Sequence, residues 1–101
     1  MTTHVEKDAL RALFNEHVRP RIDSGELTSI VTDDRKPASL PPSEPFCTRS
    51  QFVRYITRER AEIAGCHQYL RPDGQVGASG KPDPKIVVHE GVAYKIDTGP
   101  G

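Results

Sequence analysis

Tryptophan is absent from this chain of 101 residues, and aromatic side chains number six in all. Rings are the largest apolar surfaces a small domain can bury, and hydrophobic residues make up only 35% of the chain. The core is therefore expected to be thin, with part of the stability supplied by a partner chain or a second copy. Net charge is also missing: 14 basic residues balance 14 acidic ones, so no global field draws the protein toward nucleic acid or a lipid surface. No apolar run reaches membrane-spanning length, and Met1–Glu6 has neither the basic nor the apolar region of a signal peptide. No membrane partner and a cytoplasmic location are the expectations. Cys47 and Cys66 are the only cysteines, and in that compartment they are expected as buried free thiols.

Charge is uneven along the chain. Residues 1–46 hold six Lys/Arg and eight Asp/Glu, whereas 47–85 hold seven and four. Proline and glycine are plentiful, at nine and eight. Residues 37–45 contain four prolines, which exclude a helix or an inner strand and predict an extended strap laid over the core by Leu40 and Phe46. Residues 98–101 are expected to fray, and the whole chain reads as one domain, 1–101.

Thr3-His4-Val5-Glu6 fits a capping box, and the helix after it is expected to stop at Arg19, ahead of Pro20. Leu10, Leu13, Phe14 and Val18 share one face of that helix, with His17 in its middle. Residues 26–31 have strand composition and 33–36 read as a polar turn. Thr48 or Ser50 can cap a second helix reaching toward Leu70, with Arg54, Arg58, Ala61 and Gly65 on its outer face. At the C-terminal end, 86–96 read as a β-hairpin closed by a three-residue loop, His89-Glu90-Gly91, which gathers Ile86, Val88, Val92, Tyr94 and Ile96 on one face. The expected fold is α+β: two helices packed on a small, mostly antiparallel sheet with a C-terminal β-hairpin.

Two cation-Pro-Asp corners, Arg71-Pro72-Asp73-Gly74 and Lys81-Pro82-Asp83-Pro84, bracket the glycine-rich stretch 74–80. Proline presets φ at the second turn position, and the aspartate can accept from nearby N–H groups. With Tyr69-Leu70 before it and Glu90-Gly91-Val92-Ala93-Tyr94 after it, this segment resembles a family of short bacterial proteins over roughly the last third of the chain. The resemblance implies that loop and hairpin form one unit, and it attaches no activity.

The chemistry-bearing patterns are sparse. Gly80-Lys81 is followed by Pro82, and Gln75 stands where a phosphate loop of the Walker type needs its first glycine. Cys66 and His67 are adjacent, an awkward spacing for one metal, and no metal site or cofactor is expected. No nucleophile–base pair is legible, so the expected protein is not an enzyme. What remains is a protein-interaction domain that binds a protein partner or itself through Arg54, Arg58, Arg71, Lys81 and Lys85. The alternative is a nucleic-acid-binding accessory protein using the same cations, on a basic helix 49–60 and the loop 71–85, to contact phosphates.

Overall fold

Six strands and a single helix emerge in the computed structural model, which describes residues 2–37, 39–40, 42, 44–77 and 82–96. Strand β1 (Thr2–Val5) leads into α1 (Lys7–Leu13), which continues through a π-helical stretch (Phe14–Val18) into a last α-helical segment (Arg19–Asp23). Then come β2 (Thr28–Arg35), β3 (Arg49–Ile56), β4 (Glu62–Leu70), β5 (Asp83–His89) and β6 (Val92–Ile96). All belong to one sheet in the order β1-β6-β5-β4-β3-β2. Strands β2 to β6 form an antiparallel meander, and β1 closes the far side parallel to β6.

The expectation of two helices on the sheet is overturned: one helix of 17 residues packs on it, and residues 48–70 are not helical. Burial along β3 alternates strictly, with Gln51, Val53 and Tyr55 buried and the residues between them half-buried. That period of two belongs to a strand, and Phe52-Val53-Arg54-Tyr55-Ile56 is rich in the β-branched and aromatic residues that fit a pleated surface. Between β3 and β4 the chain reverses through Thr57–Ala61. The Thr57 N–H donates to the Ala61 carbonyl at 2.9 Å, and the Ala61 N–H donates to the Thr57 hydroxyl at 3.1 Å. Arg60 takes the left-handed backbone (φ 67°) that the turn requires. No glycine, proline or asparagine marks this reversal, which is why Arg58–Ala61 reads as helix in the sequence.

Smaller expectations change for equally physical reasons. Thr3 belongs to a strand rather than a capping box, because β1 finds a pairing partner in β6; Glu6 occupies the N-cap without a side-chain cap bond. The helix also runs past Pro20 to Asp23. Proline lacks an N–H and its ring crowds the carbonyl one turn back, and the wider π-helical turn just before it, with the Arg19 N–H bonded to the Phe14 carbonyl, relieves both demands. The polar residues 33–35 extend β2 beyond a bulge at Thr32 instead of forming a turn.

The C-terminal hairpin is present, but His89 pairs with Val92 across a two-residue turn, not a three-residue loop. Glu90 (φ 50°) and Gly91 (φ 77°) are both left-handed, the geometry whose twist matches the flanking strands. Burial on one face did not decide the register, because both faces of this sheet carry apolar side chains.

The helix covers one face only. Leu10, Phe14 and Val18 meet Val53, Tyr55, Ala64, Cys66 and Val87, with Leu27 closing the end. The Phe14 ring stands edge-on to Tyr55 at 6.0 Å. The molecule measures 40 × 36 × 20 Å. A sheet and a helix layer each occupy about 10 Å, so 20 Å is the thickness of two layers and leaves no room for a third.

In the strap, Phe46 is 81% exposed and anchors nothing. The buried anchor is Glu44, whose carboxylate accepts from Arg71 Nε at 2.9 Å and from Arg71 Nη2 at 3.3 Å. Cys66 is buried as expected, whereas Cys47 is exposed.

Candidate binding surfaces

The strand register sorts the side chains of the sheet. Val53, Cys66 and Val87 point to the helix; Phe52, Arg54, Gly65 and Ile86 point away from it. On that open side the Phe52 ring lies directly over Gly65. A Cβ built at Gly65 would stand 2.7 Å from Phe52 Cζ and 2.9 Å from Ile86 Cγ2. Glycine is therefore a space requirement of the open face, not a hinge. The Arg54 guanidinium sits over the Phe52 ring, 5.1 Å from its centroid, and is ion-paired with Glu62 across the hairpin. With Ile86 and Val88 from β5, these residues make a half-buried apolar patch in which Arg54 is paired, while Lys95, opposite Ile86 in the register, stands exposed beside it.

The five expected contact residues do not converge. Arg54 is on the open face, while Arg58 is exposed in the Thr57–Ala61 turn. Arg71 is held by Glu44, which raises its pKa through their hydrogen bonds and opposite charge. Lys85 donates to Asp83 at 3.0 Å. Lys81 lies outside the described residues. The first corner of the loop closes as expected: the Gly74 N–H donates to the Arg71 carbonyl at 2.9 Å, and Asp73 Oδ1 accepts from the Gln75 N–H at 2.9 Å. The second corner opens β5, with Pro84 opposite Cys66 at a bulge that accommodates its missing donor.

A second feature has its signal in the helix sequence. Lys7, Arg11, Asn15 and Arg19 recur every four residues, so they form one ridge along the helix. They line a cavity of about 500 Å³, walled opposite by the 67–69 stretch of β4, Gly77, and Pro82 to Pro84. Asp83 lies within 3.9 Å of Lys7 and 3.6 Å of Arg11. Burial pushes the Asp83 carboxyl up, but the bond to Lys85 and the charges of Lys85, Lys7 and Arg11 outweigh it and hold the group below its usual range. His67, the register partner of Asp83, is pushed down by burial and by Lys85, and hydrogen-bonds Ser50 through Nε2 at 2.7 Å.

Burial drives the Cys66 thiol up to about 12, beyond the range in which a thiolate nucleophile forms at neutral pH. His17 and His89 stack at 3.9 Å between ring centroids, but among the described residues no three metal-ligating side chains come together. Comparison of the chain with protein-family models, curated proteins and solved structures finds no match.

Proposed function

We propose that this chain is a non-enzymatic interaction domain that associates with a second copy of itself through the open face of its sheet. The observation that carries the reading is the two-layer thickness of 20 Å, with an uncovered apolar patch of Phe52, Ile86 and Val88 around Gly65. Face-to-face packing of two sheets about 10 Å apart supplies the missing layer. A second copy suits the charges. Arg54 is paired internally with Glu62, and Arg35 with Asp33. The centre of the patch therefore asks for no oppositely charged partner, and two identical copies can meet there with the exposed Lys95, opposite Ile86 in the register, turned to solvent beside it.

Sedimentation equilibrium of the wild type and of Val88→Lys tests this directly. The wild type is expected as a dimer at low and high salt, and Val88→Lys as a folded monomer by circular dichroism. A wild type that stays monomeric at all concentrations would falsify the proposal. The nucleic-acid alternative has weaker support: Arg54, Arg71 and Lys85 each have a carboxylate partner, and the strands and turn at 49–60 spread the cations that a helix would have aligned.

A further inference from the structure

The geometry points to a second, independent site: we propose that the cavity beneath the Lys7–Arg19 ridge binds a small organic anion, a phosphate or carboxylate head on an apolar body. Its volume of about 500 Å³ lies in the range of sites that enclose a small ligand. Three cations, Lys7, Arg11 and Arg19, line it against one carboxylate, Asp83. The helix cations stand at 3.9 and 3.6 Å from that carboxylate, beyond hydrogen-bond distance, so their N–H donors are not taken up by it. Lys85 bonds Asp83 Oδ2 at 3.0 Å, while Asp83 Oδ1 is buried with no hydrogen-bond partner among the described residues. Four cations, Lys7, Arg11, Arg19 and Lys85, thus surround a single carboxylate. Arg19 has no ion pair among the described residues, and its guanidinium is steadied over the Phe14 ring at 5.3 Å.

Head and body have separate counterparts in the walls. Arg11 and Arg19 present the planar donor forks that suit a phosphate or carboxylate, and Asn15 between them adds an uncharged amide. Pro82 supplies accessible apolar surface at the same cavity, with the buried Phe14 and Pro84 behind the wall. A bare inorganic ion would use only the first set, so an organic anion is the class the whole cavity fits. The site lies on the helix side of the sheet and shares no residue with the Phe52–Ile86 patch, so it neither requires nor disturbs self-association.

Calorimetric titration with phenyl phosphate, followed by amide chemical shifts, tests the proposal. Expected are saturable binding, shifts at Gln68 and Gly77, and a loss of about tenfold or more in affinity for Lys7→Gln/Arg11→Gln, with Arg58→Gln unchanged. Absence of saturable binding up to about 10 mM would overturn the site, and so would an unaltered affinity in the double variant. Inorganic phosphate binding as tightly as phenyl phosphate would overturn the organic class. The double variant changes exposed ends of side chains, and circular dichroism checks that it remains folded.

Discussion

Gly65 shows how one side chain, or the lack of one, sets the character of a whole face. The three nearest atoms its missing Cβ would meet belong to the open side of the sheet: Phe52 Cζ at 2.7 Å, Phe52 Cε1 at 2.8 Å and Ile86 Cγ2 at 2.9 Å. The ring tip can swing outward, but the branched Ile86 cannot follow without leaving its rotamer. Gly65→Ala is therefore expected to cost about 1–3 kcal/mol by overpacking, measured as a lower urea midpoint at unchanged slope. It should also expel Phe52 from its seat under Arg54 and so weaken self-association. An alanine variant as stable as the wild type would show that the ring does not rest on Gly65 in solution. The sequence offered Gly65 as a residue on the outer face of a helix, because a glycine reveals nothing about which ring covers it until the strand register is known.

At the scale of elements, the strap and the glycine-rich loop are fastened to each other by charge. Gly77 lies against Glu44: a Cβ there would collide with Oε2 and stand 2.7 Å from Cδ. Glu44 is in turn gripped by Arg71 at the start of the loop. Gly77→Ala is expected to push the carboxylate off Arg71 and destabilise by about 1–3 kcal/mol, whereas Glu44→Ala removes the obstacle. The double variant should then fall short of the sum of the single effects by about 0.5 kcal/mol or more in denaturant titrations; strict additivity would mean that strap and loop are energetically independent. That strap and loop were distinctive could be read from their prolines and glycines. That Glu44, not Phe46, would be the anchor could not, because a buried carboxylate is tolerable only beside its guanidinium partner, and Arg71 lies 27 residues away. The helix face of Leu10, Phe14 and Val18 was legible, since helical periodicity is a local property. The β3–β4 hairpin was not: its turn lacks marker residues, and its apolar positions also fit a helical arc until pairing fixes them.

For the molecule as a whole, all six strands share one sheet, so a proton equilibrium at its centre is linked to the stability of the fold. His67 sits at the β3–β4–β5 crossing, paired in register with Phe52 and Asp83. Burial first, and Lys85 second, push its pKa below the ordinary 6.5, while Asp83 pulls the other way without prevailing. The unfolded chain then binds a proton more readily than the folded one. Stability contributed by neutral His67 is present above pH 6.5 and is lost as pH falls from there through the lower folded pKa. Asp83 acts in the same direction at a lower range: its folded pKa is depressed, so its contribution holds above 3.8 and disappears as pH falls through the folded value. Urea midpoints are therefore expected to decline in two stages on acidification, the first beginning near 6.5 and the second below 3.8. His67→Gln should flatten the first stage while leaving the second. The histidine also bonds Ser50, so the variant lowers the midpoint at every pH; the slope, not the level, carries the argument. A His67→Gln protein with the wild-type slope would place the proton uptake elsewhere.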